Sequence, residues 1–578
     1  MKKRIFALIP VLFLVVAFAV AAGGGGEVSA VEESGVPQYG GTLTMLQHRS
    51  HLTAPNYTVW DPSKSHWLTT TWACPFAERL LIGDIDTYGP RGNGEFAFTD
   101  IEYVPLQYLK GQLSESWEVT TNPIGVIFHI RPGIMWAGNK HIGMAPREFV
   151  AEDAVFHLET FKASPQGPEL YFVEKIYAKD KYTFVVEFNT GQSFWPFLLG
   201  FGSRSGHAPR EAYEAPGSID EWRNQVGTGP FILTDFVIGS QMTYERNPNY
   251  WDSTIIDGVE YQMPFVDKVV FPLMPDMATQ IAALRTAKVD WHTGVQLMYE
   301  QSLSQTSPNL VKHKYPIANS KMVCLRSDGL NEIFDDRNVR RAMMIGTDLE
   351  AVTKGVWREG NIHAFPLNSG AAGIFVPLEE LPDSTRMLFD YNPELAKKML
   401  ADAGYPNGFQ ISLNTSTTGN YPDTAALLAA LWEKIGIKTN IISMEGGAAS
   451  AMRTSHDYKD AYLTETGTSM IPWHLSLGLY GQGRTYNFAE YKNPKYDELF
   501  LACEVEMDWD KMLAMGRELF IMLLDDAPYI PLGNPIQISY NWPWVKNYYG
   551  EIETAFVNYA PMLSRLWVDQ NLKGNMGF

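Results

Sequence analysis

The chain has 578 residues, 45% of them hydrophobic and 19% charged, so it is long enough for several domains and too apolar to be globally disordered. Its 65 acidic residues exceed its 46 basic ones, and the resulting net charge of −19 argues against general binding to nucleic acids. The 16 Trp, 28 Tyr and 30 Phe exceed what a core alone requires and are typical of proteins that enclose a ligand.

The N-terminus predicts export. Basic residues at positions 2–4 precede an uncharged apolar run over residues 5–22, and a small-x-small pattern ends at Ala30. We interpret residues 1–30 as a secretory signal peptide or, if it is retained, an N-terminal anchor, because the run is close to the minimum length that spans a bilayer. Residues 31–39 are expected to be a linker. The predicted location is the periplasm or the outer face of the cytoplasmic membrane.

Alternation of polar and apolar residues predicts the strands. They lie, in chain order, at residues 40–45, 116–119, 127–130, 182–188 and 437–442. Apolar residues three and four apart, together with capping signals, predict the helices. These lie at residues 151–162, from Asp276 onward, at 393–403 and at 423–434. The mixture predicts an α/β protein, and the last 45 residues are expected to form strands and turns that return to an earlier domain.

Neither the cysteines nor the histidines predict a metal site. Cys74, Cys324 and Cys503 are far apart and form no CxxC pair, so at most one disulfide can form, and we favour three buried thiols. His48 and His51 are three residues apart, but no Cys or acidic cluster completes a ligand set. We therefore predict no metal and no cofactor.

Seven blocks of sequence stand out by their order and spacing. They are Gly40–Leu43, Gln112–Val119, Phe128–Trp136, Ala151–Phe156, Gly227–Phe231 with Glu245–Trp251, Val266–Phe271 with Leu284–Asp290, and Arg337–Met343 with Tyr391–Pro406. Together they resemble the family 5 extracellular solute-binding proteins of ABC importers, of the oligopeptide- and dipeptide-binding type.

The resemblance implies an α/β, two-lobed type II periplasmic-binding-protein fold with an extra subdomain in the first lobe. Ligand would be enclosed between the lobes, with hinge crossings near residues 295–315 and 526–534. The implied boundaries are 40–59 and 211–310 for the first lobe, 60–210 for its extra subdomain, 311–530 for the second lobe, and 531–578 for the return to the first lobe.

The function implied is capture of oligopeptides by lobe closure and their delivery to the permease subunits of an ABC importer. We expect a monomer without catalytic activity. The sequence has no HExxH, no G-x-S-x-G and no P-loop. Two alternatives stay open: a protein of the same fold that binds oligosaccharides or other neutral solutes, and an extracellular carbohydrate-active enzyme.

One departure from the family pattern puts the ligand class in question. Peptide-binding members usually carry an Asp in a loop of the second lobe, and this Asp pairs with the α-ammonium of the ligand. Here Thr468 aligns with that position, and the acid of the loop is Glu465. Either Glu465 replaces the Asp, or the ligand has no free amine to neutralise.

Other candidate ligand contacts are aromatic or basic. Tyr421 follows a strand and opens a helix, where α/β folds place ligands. Trp473 follows the hydroxyl-rich loop of the second lobe, and Trp60 and Trp72 flank an Asp-Pro segment of the first lobe. Arg453 is a candidate partner for a ligand carboxylate.

Overall fold

The structure is a computed structural model, and it describes the chain with short gaps. The described residues are 35–47, 60–61, 63, 67–99, 103–467, 477–478, 480–484 and 486–578. The predicted signal segment 1–30 and the histidines at positions 48 and 51 lie outside these ranges.

Within the described ranges the strands are short and numerous. They are β1 (Thr42–Leu46), β2 (Leu81–Gly83), β3 (Leu109–Gly111), β4 (Ser114–Thr121), β5 (Ile124–Ile130), β6 (Met135–Trp136), β7 (Arg147–Glu148), β8 (Val173–Asp180), β9 (Thr183–Phe188), β10 (Phe231–Val237), β11 (Gln241–Arg246), β12 (Ser253–Ile256), β13 (Val259–Gln262), β14 (Lys268–Pro272), β15 (Trp291–Gln296), β16 (Val311–Pro316), β17 (Asn319–Leu325), β18 (Gly360–Asn361), β19 (Phe409–Ser416), β20 (Ile437–Met444), β21 (Ala461–Gly467), β22 (Tyr529–Asn541), β23 (Val545–Lys546) and β24 (Trp567–Val568).

The helices of the described ranges lie between these strands. They are α1 (Trp67–Ala73), α2 (Ile85–Tyr88), α3 (Ala151–Ala163), α4 (Arg210–Glu214), α5 (Met277–Arg285), α6 (Glu300–Thr306), α7 (Glu332–Asp335), α8 (Arg337–Ile345), α9 (Leu349–Val352), α10 (Asp383–Arg386), α11 (Pro393–Asp402), α12 (Tyr421–Glu433), α13 (Gly446–Ser455), α14 (Pro494–Val505), α15 (Trp509–Asp526), α16 (Ala560–Arg565) and α17 (Gln570–Asn575).

One mixed sheet runs through the fold, and its long strand β22 joins two groups of strands. The order is β10-β11-β14-β1-β15-β22-β17-β21-β19-β20, with β16 and β18 also paired to β22. Residues 536–541 of β22 pair antiparallel with β16, and residues 537–541 lie opposite β15. Residues 529–533 pair with β17 instead. Both groups of strands therefore depend on this single segment.

A separate four-stranded sheet, in the order β4-β5-β9-β8, stands apart from the large one. Trp117 of β4 lies opposite Phe128 of β5, so the two strands predicted at residues 116–119 and 127–130 are antiparallel neighbours. Helix α3 packs on β8 and β9 of this sheet, and its residues Leu158 and Phe161 are 4% and 1% exposed.

The second group of strands has its own core. Its buried apolar residues include members of β17, β19 and β21 and of the helices α8, α11 and α12. Trp432 of α12 is fully buried there, and its indole N–H donates to the hydroxyl of Thr347 at 2.9 Å. An anchored α12 fixes the direction in which its first residue, Tyr421, projects.

The helices and strands predicted in the body of the chain are confirmed. The tail was expected to contain strands and turns, and β22 to β24 agree with this. The expectation is wrong for α16 and α17, which are helices. Asp569 explains the second of these, because its carboxylate caps the amide of Leu572 and starts α17.

Candidate ligand-binding site

Three strands of the second group end at the same edge of the sheet. Strand β19 is parallel to both β20 and β21, so the carboxyl ends of all three strands point the same way. In α/β sheets this edge is where ligands bind, because loops and helix N-termini converge there. Loop 417–420 with helix α12 follows β19, and helix α13 follows β20.

Lys321 is the centre of a group of polar side chains at this edge. It lies on β17 directly opposite Glu465 of β21, and the two side chains form a salt bridge. The Lys321 ammonium is also 3.3 Å from the Tyr421 hydroxyl and 4.4 Å from the centre of the Tyr421 ring. Hence Tyr421 and Glu465, both candidates from the sequence, meet around a lysine.

The charges of this group are stabilised by one another. Burial pushes the pKa of Glu465 upward, but the Lys321 ammonium and the Arg453 charge outweigh it, and the net pKa shift is downward. Burial pushes the pKa of Lys321 downward, but the Glu465 carboxylate outweighs it, and the net pKa shift is upward. Both side chains are therefore ionised at neutral pH. The pKa of Tyr421 is raised, chiefly by burial, so its hydroxyl stays neutral.

Arg453 of α13 is the second cation of the group. Its guanidinium donates to the hydroxyl of Thr464, next to Glu465 on β21, at 3.0 Å and lies 5.2 Å from the centre of the Phe488 ring. Its Nε is buried without a hydrogen-bond partner. No carboxylate in the described part of the chain forms an ion pair with it, so its charge is available to an anionic ligand group.

The remaining candidates lie elsewhere. Thr468 and Trp473 are outside the described residues, directly after β21. Trp60 is 3% exposed and packs edge-on against Phe236, with ring centroids 5.6 Å apart. Trp72 is fully buried. Its ring lies 5.8 Å from the ring of Phe271.

Lys321 was missed in the sequence. Its local signal is weak: it is the one charged residue in an otherwise uncharged run from Ala318 to Leu325. A charged residue in a half-buried strand indicates a partner, but the partner is 144 residues away and becomes visible only through the β17–β21 register.

The described ranges also bear on the cysteines, on metal binding and on membrane spans. Cys74, Cys324 and Cys503 are all buried, as we favoured. In the described ranges no group of three or more His, Cys, Asp or Glu side chains could hold a metal ion. Over the same ranges, no helix combines the length and the hydropathy that a membrane span needs.

A family model for bacterial extracellular solute-binding proteins, family 5 (middle region), matches residues 109–487. The chain belongs to this family. This solute-binding protein is 25% identical over 476 residues to Heme-binding protein A of Haemophilus influenzae, covering 75% of this chain and 81% of that protein. It is 24% identical over 474 residues to the Dipeptide-binding protein of Escherichia coli, with the same two coverages of 75% and 81%.

A solved structure extends the match to nearly the whole chain. DppA of Helicobacter pylori, in complex with the peptide STSA, superposes with a TM-score of 0.67 at 20% identity, covering 92% of this chain and 99% of that one. The likeness establishes the fold of this solute-binding protein, which is α/β, two-lobed and of type II, with the extra subdomain in the first lobe. The predicted fold class is thus confirmed.

Proposed function

We propose that this solute-binding protein captures oligopeptides by lobe closure and delivers them to the permease subunits of an ABC importer. The observation that carries the proposal is the polar group of Tyr421, Glu465 and Arg453 around Lys321, at the carboxyl edge of a sheet in a family of binding proteins. The peptide as ligand is supported by relatives named for dipeptide and oligopeptide binding.

The proposal includes the domain boundaries expected from the sequence. The first lobe takes residues 40–59 and 211–310, its extra subdomain 60–210, the second lobe 311–530, and the return segment 531–578. The course of β22, from a partner in one group of strands to partners in the other, supports a hinge near residues 526–534.

Export, monomeric state and absence of catalysis are also proposed. Residues 1–30 carry the export signal, cleaved or kept as an anchor, and the mature protein works in the periplasm or at the outer face of the cytoplasmic membrane. The ligand is returned unchanged, and the ATP that drives transport is hydrolysed by other subunits.

Calorimetric titration of the chain from Val31, with short peptides and with oligosaccharides, tests the ligand class. Ligand at 100 times its Kd adds about 2.7 kcal/mol to the free energy of unfolding, so a thermal-shift screen finds candidates first. Binding of peptides is the expected result. Binding of oligosaccharides alone would show that the ligand is a neutral solute and not a peptide. Turnover of an oligosaccharide would support the enzyme alternative.

Alanine variants test the site. Tyr421→Ala and Arg453→Ala should each weaken peptide binding by about 1–2 kcal/mol, or roughly 5- to 30-fold in Kd, because each loses a contact at the ligand edge. The exposed residues Tyr177 and Arg386 offer matched controls, Tyr177→Ala and Arg386→Ala. Unchanged affinity in both site variants, with folding intact, would refute the site.

A further inference from the structure

The charges of this group do not balance. Within the described ranges, the group contains the two cations Lys321 and Arg453 and the single anion Glu465. Glu445 lies at the same edge and stays ionised, but its carboxylate accepts the amides of Gly447 and Ala448 at the start of α13, and no ion pair in the described ranges joins it to either cation. Lys321, Arg453 and Glu465 together therefore carry a net positive charge.

The acid in this group is already neutralised. A ligand ammonium needs an unpaired carboxylate when it leaves water, because a desolvated charge without a partner is costly. Glu465 keeps 34% of its side chain exposed, so a ligand can reach it, but its charge is taken up by Lys321, which is 12% exposed. Lys321 is thus the cationic partner of Glu465, in the place that a ligand ammonium would otherwise occupy.

We propose that Lys321 is a specificity-determining residue, which pairs with Glu465 so that this edge receives a carboxylate of the ligand, bound by Arg453, and rejects a free ammonium. The proposal rests on peptide binding as the proposed function, and it names the ligand chemistry. Peptides that place an anionic group here are bound, and peptides that place a free amino terminus here are not.

The position of Arg453 supports the binding of an anionic ligand group at this edge. Its guanidinium donates to the Thr464 hydroxyl and lies over the Phe488 ring, and the N–H at its Nε has no hydrogen-bond acceptor. Guanidinium and carboxylate form paired, charge-assisted hydrogen bonds, which are stronger than neutral ones. Arg453 therefore contacts the ligand, whereas Lys321 acts through Glu465.

Two peptides of the same sequence test the inference. One has a free amino terminus and an amidated carboxyl terminus, and the other is N-acetylated with a free carboxylate. The measured quantity is the ratio of the Kd for the ammonium peptide to the Kd for the carboxylate peptide, from calorimetric titration. For the native protein we expect a ratio above 10.

The variants change this ratio in opposite directions. Lys321→Met leaves Glu465 unpaired and should lower the ratio at least tenfold. Glu465→Gln adds to the positive charge and should raise it, which keeps the test available if the first variant does not fold. The double variant removes both charges, leaves Arg453, and should return the ratio to near the native value. Lys314→Met, which removes the salt bridges of Lys314 on strand β16 to Glu300 and Glu359, is the matched control and should leave the ratio unchanged.

The outcomes separate this inference from the proposed function. Binding of both peptides with a ratio that neither variant moves by more than twofold would overturn the inference and leave the peptide ligand standing. A native ratio below one would also overturn it. Failure of the native protein to bind either peptide would overturn the inference and the proposed function together.

Discussion

Glu78 shows how strongly a single buried residue can depend on its surroundings. It is 2% exposed, and the Trp251 indole donates to both of its carboxyl oxygens at 3.2 and 3.1 Å. Gln112 and Tyr250 donate at 3.1 and 3.3 Å. In the described part of the chain no Lys or Arg forms an ion pair with it. Burial raises the pKa of Glu78 to about 8, although these donors act in the opposite direction.

This raised pKa predicts a pH-dependent stability. Below about pH 4.5, the carboxyl is protonated in both the folded and the unfolded chain; between there and pH 8 only the folded chain keeps the proton. The free energy of unfolding should therefore fall as pH rises through this window, on the order of a few kcal/mol. In Glu78→Gln, which cannot ionise, this part of the decline should be absent.

Urea unfolding of both proteins at pH 5 and pH 9 measures the effect. The glutamine variant should gain stability relative to the native protein at pH 9. An equal loss of stability in the two proteins between these pH values would show that Glu78 does not titrate in the window.

At the scale of elements, strand β22 contains a sterically constrained glycine, Gly533, between its pairings with the two groups of strands. Gly533 has a φ of +94°, and a Cβ placed on it would lie 2.4 Å from the carbonyl oxygen of Asn361. The register with β17 shifts at this point, since Lys321 is opposite Gly533 but Met322 is opposite Pro531. Glycine is needed here both for its backbone conformation and for the close approach.

Gly533→Ala should therefore destabilise the protein by about 1–3 kcal/mol, the usual cost of holding a residue with a side chain in such a backbone conformation. Chemical denaturation, followed by circular dichroism, measures the loss. Gly574→Ala is the matched control, because a Cβ there has open space in a helix. An equal loss of stability in the two variants would show that backbone strain at Gly533 does not cause the destabilisation.

The sequence predicted the elements better than it predicted the site. Helix α11 follows directly from local signals: Asn392 caps it, Pro393 begins it and Gly404, with a φ of +98°, ends it. The pairing of Lys321 with Glu465 has no local signal, because it depends on which strands become neighbours. The short helices of the tail have only a weak local signal. Their surroundings are rich in Trp and Tyr, which favours strands, and a single capping residue is the main sign of α17.

At the scale of the whole molecule, the loop around Ser193 contacts the end of helix α14. The Ser193 hydroxyl is 3.1 and 2.9 Å from the carbonyl oxygens of Cys503 and Glu504, and its backbone N–H also donates to Glu504. The Tyr171 hydroxyl donates to the Glu504 carboxylate at 2.7 Å. The last carbonyl groups of a helix lack partners within the helix, and this loop supplies them.

Ser193→Ala should loosen this contact, since a hydrogen bond contributes about 0.5–1.5 kcal/mol. Hydrogen–deuterium exchange should become faster in the segments around residues 189–195 and 500–507. Ser205→Ala is the control, because that hydroxyl donates to the carbonyl oxygen of Gly202, three residues earlier in the chain. Unaltered exchange at both segments would mean that the Ser193 side chain contributes nothing to the contact.

The shared strand β22 also has a consequence for biosynthesis. It begins only at Tyr529, yet β15, β16 and β17 all pair with it. A chain emerging from the ribosome therefore cannot complete either half of its large sheet until nearly all of it has been made. Pairing across such long stretches of chain is slow to form. The large sheet therefore stays incomplete during most of synthesis, and the native fold of this chain is reached only after its last long strand has been made.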